Sequence, residues 1–168
     1  MASNPPNTHR SLSRLTSAQI LWSTEAAEQG LANLASRVAT ELAGCSAFCL
    51  WLEGPMGAGK TTTTRAILYA LGLPSKVPVL SPTYTYMTEY QLPSGAWIAH
   101  LDLYRMPDLC SLEECGFDDR KNYRGVFVEW PPTSGGIFTP MLQPTHILSI
   151  GFSSDGLQRS YQLQKLHP

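Results

Sequence analysis

The segment Gly54-Pro-Met-Gly-Ala-Gly-Lys-Thr61 closes a glycine-rich octet with a lysine and a hydroxyl. That is the full Walker A pattern, and each residue type in it has a physical task. Glycines admit positive φ and let the main chain come close to a ligand. The backbone N–H groups around Gly57, Ala58 and Gly59 can then turn inward as an anion-binding nest. A helix starting at the end of the loop adds the partial positive charge of its N-terminus. Lys60 is placed to reach β- and γ-phosphates, Thr61 to put its hydroxyl on Mg²⁺, and Thr62 to complete the phosphate-binding set.

Such a site also needs a carboxylate near the metal, usually at the end of a neighbouring apolar strand. Val126-Phe127-Val128-Glu129 has that form. In Ile98–Arg105 the two-residue period of a strand puts His100, Asp102 and Tyr104 on one face and Ala99, Leu101 and Leu103 on the other. Asp102 is therefore a second candidate acid, while His100 by itself reads as structural. Ser81–Tyr90 is rich in hydroxyls, and Thr83 and Thr85 either watch a γ-phosphate from a switch-like loop or simply lead into a strand. Trp130 suits a cover over base or ribose as well as it suits the core. No arginine finger stands close to the loop: Arg105 is expected on the pleat face opposite Asp102.

The elements that must position these residues follow from the pattern of the chain. Ala47–Glu53 is a nearly continuous apolar run, a strand buried on both faces that leads straight into the loop. Residues 62–71 form the helix after it, closed by Gly72 and Pro74. Upstream, helical spacing of Ala27, Leu31, Leu34, Ala35, Val38 and Leu42 predicts a helix over 24–43, with Ser23-Thr24 before it and Gly44 as its stop. Residues 84–90 and 97–104 read as an antiparallel hairpin around Pro93-Ser94-Gly95. A short helix and a charged loop fill 107–124, a strand covers 125–129, and a last strand pair occupies 145–152 and 158–166. The expected fold is α/β: a single P-loop NTPase-like domain over 20–168, its central mixed sheet containing the hairpin and flanked by helices. Residues 1–19 read as a disordered extension, although their Ser- and Arg-rich make-up also suits a transit peptide.

Composition limits the partners. Twelve basic and thirteen acidic residues in 168 leave a net charge of −1, unlike a protein that coats nucleic acid. No uninterrupted apolar run is long enough to span a bilayer, and the expected location is cytoplasmic. Cys45, Cys49, Cys110 and Cys115 lack the C-x2-C spacing of zinc sites and read as buried free thiols.

In this order and spacing, GPMGAGKT (54–61), SPTYTYMTEY (81–90), HLDLYRM (100–106) and VEWP (128–131) resemble the TsaE family, small ATPases of bacterial threonylcarbamoyl-adenosine tRNA modification. The resemblance runs over about residues 20–166. It implies a mixed sheet around a P-loop, Mg²⁺-dependent ATP binding and slow hydrolysis. It implies TsaB and TsaD as partners, with tRNA touched only through them. It gives Lys60 the phosphates, Thr61 and Glu129 the Mg²⁺, and Asp102 a part in hydrolysis. Thr83 and Thr85 become switch-segment residues and Trp130 a neighbour of the nucleotide. Ser23-Thr24 and Arg159 match an adenine-side segment and a late arginine. Two other classes fit the loop alone: a P-loop small-molecule kinase, for which only Arg120, Lys121 and Arg124 cluster as a lid would need, and a nucleotide-binding adaptor without hydrolysis. A GTPase would need an N-K-x-D segment, which the chain lacks.

Overall fold

The computed structural model describes residues 17–106, 116–118, 120–131, 142–154 and 156–167. In chain order the elements are β1 (Ser17–Ala26), a 3-10 turn (Glu28–Gly30), α1 (Leu31–Ala43), β2 (Phe48–Glu53), α2 (Lys60–Ala70), β3 (Met87–Gln91), β4 (Trp97–Asp102), β5 (Tyr123–Glu129), β6 (His146–Phe152) and β7 (Arg159–His167). The strands form one seven-stranded mixed sheet in the order β1-β7-β6-β2-β5-β4-β3. The four inner neighbours β6, β2, β5 and β4 run parallel, while β3, β7 and β1 add antiparallel edges.

The pleat divides the core in two. Phe48, Leu50 and Leu52 of β2, Ile98 of β4 and Phe127 of β5 point toward the face where Leu34, Val38 and Leu42 of α1 and Ile67 and Leu68 of α2 pack. Cys49, Ala99, Leu101, Val126 and Val128 point to the other face, covered by Phe117, Tyr123 and Leu142. Both described helices thus share one face. Most of the predicted helix in 107–124 lies outside the described residues, as do Cys110 and Cys115. Cys49 is a buried free thiol, pushed up to about 12 by its burial. Among the described residues no helix is long and apolar enough to cross a membrane.

Helix α1 begins at Leu31, not at residue 24, and residues 17–26 are a strand. Residues 17–19, assigned by sequence to the extension, are paired with β7, and residues 1–16 lie outside the described residues. The helical spacing misled because it runs on across the 3-10 turn, so Ala27 keeps phase with Leu31 and Leu34. The strand is an edge held by a partner far away in sequence, and its outer residues are largely exposed, so no buried pattern marks it. β3 starts at Met87 because Tyr86 takes φ 62°, which ends extended structure before it. α2 starts at Lys60, two residues earlier than expected. Its run of β-branched threonines is a weak helix former. Packing holds it instead, through Thr63, Thr64, Ile67 and Leu68 on one buried stripe.

Gly125 pairs with Phe48 across β2 and β5, and a Cβ on it would lie 2.1 Å from the Phe48 ring. Gly125→Ala should lower the unfolding free energy by about 1–3 kcal/mol, read from urea midpoints. At the start of β6, His146 is fully buried, with Nδ1 bonded to Thr145 Oγ1 at 2.9 Å. Burial, reinforced by Lys165, pushes its pKa down to about 4 from an ordinary 6.5. The unfolded chain therefore takes up this proton well before the native protein does. Stability should fall as pH drops from about 6.5 to about 4 and level off below that. In His146→Leu that part of the slope should vanish, as urea melts at several pH values would show.

Candidate functional site

The carboxyl ends of parallel strands are where open α/β sheets leave room for ligands. Here β2 delivers the glycine loop to that end, and register pairs Asp102 of β4 with Glu129 of β5 there. The loop's shape is set by its main chain. Gly54 has φ 149°, and a Cβ on it would sit 2.2 Å from the Ile150 carbonyl oxygen, so the loop can follow β6 this closely only without a side chain. Gly57 and Gly59 take φ 76° and 98°, and α2 starts directly afterwards with no acidic residue in its first turn.

Lys60 is buried, and its Nζ donates to the carbonyls of Gly54 at 2.8 Å and Pro55 at 2.9 Å. The same ammonium lies 3.7 Å from the centre of the Trp130 ring. Burial holds its pKa below the usual lysine range, with Glu129 and then Asp102 pulling the other way. Thr61 Oγ1 donates to Glu129 Oε2 at 2.9 Å. The other oxygen, Oε1, meets His100 Nε2 at 2.8 Å. Glu129 is thus gripped from the helix and from β4 at once.

Asp102 is engaged differently. Its Oδ2 accepts from Ser81 Oγ at 2.7 Å and Thr83 Oγ1 at 2.5 Å, and its Oδ1 accepts from the Tyr104 N–H at 3.0 Å. It therefore ties the hydroxyl-rich segment to the end of β4. Trp130 adopts φ 54°, which turns its ring back over Lys60 and against Tyr104, 4.8 Å between centroids.

Two hollows flank the loop, and both have a size usual for small-molecule sites. The first, about 400 Å³, is bounded by Gly57, Gly59, Lys60, Thr61 and Thr62 on one side and by Ser81, Thr83, Asp102, Glu129 and Trp130 on the other. The second, about 350 Å³, lies behind the loop among Ala26–Glu28, Leu31, Ala58, Thr63, Gln158, Arg159 and Tyr161. Gly57, Gly59 and Thr62 border both.

Of the residues singled out from sequence, Gly57, Gly59, Lys60, Thr61, Thr62, Thr83, Asp102, Glu129 and Trp130 surround the first hollow, while Ala58 and Arg159 line the second. Thr85 is exposed in a turn and lines neither. Ser23-Thr24 lies in β1, so no helix starts there, but the second hollow begins two residues later at Ala26. Arg105 was expected across the sheet from Asp102. Instead β4 ends at Asp102, the chain turns, and Arg105 borders the same hollow with its guanidinium 4.9 Å from the Tyr84 ring. Sequence reasoning left out Ser81 and Tyr104 as site residues. Ser81 heads the hydroxyl-rich segment, and the two-residue spacing of the sequence groups Tyr104 with Asp102, although β4 ends at Asp102 and Tyr104 reaches the hollow from the turn that follows.

Fold and site together define a mixed α/β domain with a glycine loop at the carboxyl end of its central strand and two buried carboxylates beside it. The profile described as threonylcarbamoyl adenosine biosynthesis protein TsaE matches residues 23–161. The chain belongs to the TsaE family. It is 41% identical over 92 residues to the tRNA threonylcarbamoyladenosine biosynthesis protein TsaE of Haemophilus influenzae, covering 54% of this chain and 56% of that protein. The Aquifex aeolicus protein of the same name is 42% identical over 81 residues, 48% of this chain and 59% of its own length. That of Bacillus subtilis is 42% identical over 85 residues, 48% and 49% respectively. The matched stretch thus spans about half to three fifths of these relatives.

Bonds to an ionised acceptor contribute about 1.5–3 kcal/mol each. Asp102→Ala should therefore speed exchange of the Tyr104 amide, which loses its acceptor, by at least roughly tenfold. Exchange in β2 and β5 should stay unchanged, as exchange mass spectrometry would show.

Proposed function

We propose that this chain binds ATP with Mg²⁺, hydrolyses it slowly, and supports threonylcarbamoyl-adenosine modification of tRNA together with TsaB and TsaD. The observation that carries the reading is the contact between Thr61 Oγ1 and Glu129 Oε2, beside the Lys60 ammonium and under the glycine loop. A hydroxyl and a carboxylate oxygen at this spot are the hard donors that Mg²⁺ prefers. Among the described residues no group of three or more His, Cys, Asp or Glu side chains is arranged to hold an ion. Two protein oxygens, completed by phosphates and water, is the usual way for Mg²⁺ with a nucleotide. Bound there, the ion would neutralise charge developing on the phosphates.

The two hollows suit the two ends of the nucleotide. The first has the ammonium, the hydroxyls and the acids, and would take the β- and γ-phosphates. The second has apolar walls from Ala26, Leu31, Ala58 and Tyr161, and would take the base. The loop amides between them would receive the phosphate chain. Asp102, already bonded to two hydroxyls, would hold the attacking water and the 81–86 segment in register with the terminal phosphate. Phosphoryl transfer to water depends mainly on such positioning and on charge stabilisation. Arg105, at the rim and stacked on Tyr84, would have to move inward to stabilise the transition state, so turnover without partners is slow.

Direct tRNA binding finds no support in the charges. Arg120 pairs with Asp118, Lys121 with Glu89, and Arg124 donates to the Ala43 carbonyl. The first hollow exposes Met56 and Tyr104 along its lining instead, a surface better suited to protein than to a polyphosphate backbone.

Calorimetry with Mg²⁺ and ATP should show saturable binding to the chain. Lys60→Ala should lose most of that binding and all turnover. Asp102→Ala should keep ATP affinity within a small factor and lose hydrolysis. Adding TsaB and TsaD should raise phosphate release, and omitting this chain should stop repeated modification of tRNA. Binding without any phosphate release, partners included, would favour the adaptor class.

A further inference from the structure

His100 binds no phosphate or metal in the reading above, yet its one polar contact is with Glu129. We propose that His100 is a positioning residue for the metal site: its Nε2–H holds Glu129 Oε1, so that Oε2 stays turned toward Thr61 and the cation both would bind. The proposal rests on the Mg²⁺–nucleotide reading and adds to it the group that fixes the carboxylate.

The histidine itself cannot wander. It is 0% exposed, its backbone pairs with Thr88 of β3 and Phe127 of β5, and the Tyr90 ring stacks on it at 6.5 Å. Its Nδ1 is buried without a hydrogen-bond partner. Nδ1 thus meets no acceptor, which puts the proton on Nε2, where the Glu129 oxygen lies. As a core-filling residue this would be a poor choice, because an apolar side chain of similar shape would leave no nitrogen unpaired. What the imidazole supplies, and an apolar residue would not, is the bond to Glu129.

That bond matters because Glu129 has a competitor nearby. It is the carboxylate acting most strongly on the Lys60 ammonium. A glutamate released from β4 could rotate toward Lys60 and leave the cation with Thr61 alone. With Oε1 held, one oxygen and one direction remain for the metal. Outer partners of metal-binding carboxylates act in this way, and their loss typically costs about 10–100-fold in metal affinity.

The test uses Mn²⁺ in place of Mg²⁺. Free Mn²⁺ is followed by electron paramagnetic resonance as the ion is titrated into the full chain with ADP. ADP binding without metal is measured in parallel by calorimetry with EDTA. H100M and H100N should weaken Mn²⁺ binding in the ADP complex about 10–100-fold and leave metal-free ADP affinity unchanged. H100Q, whose amide N–H reaches the place of Nε2, should restore most of the loss. Wild-type Mn²⁺ affinity in H100M, or no recovery in H100Q over H100N, would overturn the proposal while leaving nucleotide binding standing. If H100M does not fold, the H100N and H100Q pair decides alone. If the wild-type chain shows no Mn²⁺–ADP complex at all, the functional reading falls first and this proposal with it.

Discussion

A carboxylate 2% exposed in the interior has to be shared among donors, and Glu129 is that constraint in this fold. Taking a charge of this kind out of water costs several kcal/mol unless hydrogen bonds replace the lost hydration. The two oxygens find their partners on different elements, Thr61 on α2 and His100 on β4. Those contacts are possible only if β2, β5 and β4 are parallel neighbours in one register and α2 lies on the face that carries His100 and Glu129. Sheet order, pleat phase and the start of the helix at Lys60 all converge on one side chain.

The two acids of the site are neighbours in register but not equivalent. Glu129 is bound to rigid elements, one strand and one helix. Asp102 is bound to the loop: Ser81, Thr83 and the Tyr104 amide are all outside regular structure. Local opening draws on segments with few buried contacts and exposed hydrogen bonds. The geometry therefore ties the first acid to a helix and a strand, and makes the second the link between the sheet and the hydroxyl-rich segment.

Much of this was legible in the chain. The apolar run of β2, the glycine octet and the acid ending Val126–Glu129 are local signals, and each appears where its pattern put it. The pleat phase of β4 correctly placed His100 and Asp102 opposite Ala99 and Leu101. What local signals could not carry was anything decided by distant pairing. The end of β1, Thr24–Ala26, looks helical because its neighbour in sequence is a helix, while its partner β7 begins more than a hundred residues later. Arg105 was assigned to the wrong side because period-2 reasoning assumes that the strand continues, and β4 stops at Asp102. The contact of His100 with Glu129 was hidden for the same reason: alternation gives a face, and only the β4–β5 register brings the imidazole to that carboxylate.

Lys60 shows how such a site stays folded around its own charge. Two loop carbonyls and the face of Trp130 surround the ammonium, so its burial is compensated by neutral acceptors and a ring. These partners are weaker than an ionised oxygen, since charge-assisted hydrogen bonds are roughly twice as strong as neutral ones. A phosphate oxygen entering the first hollow would therefore outcompete the Gly54 and Pro55 carbonyls. The exchange needs little movement, because the lysine already stands at the wall of that hollow. Trp130 can stay over the ammonium through the exchange, which gives its left-handed backbone a physical reason: the ring must fold back over the loop instead of continuing the pleat of β5.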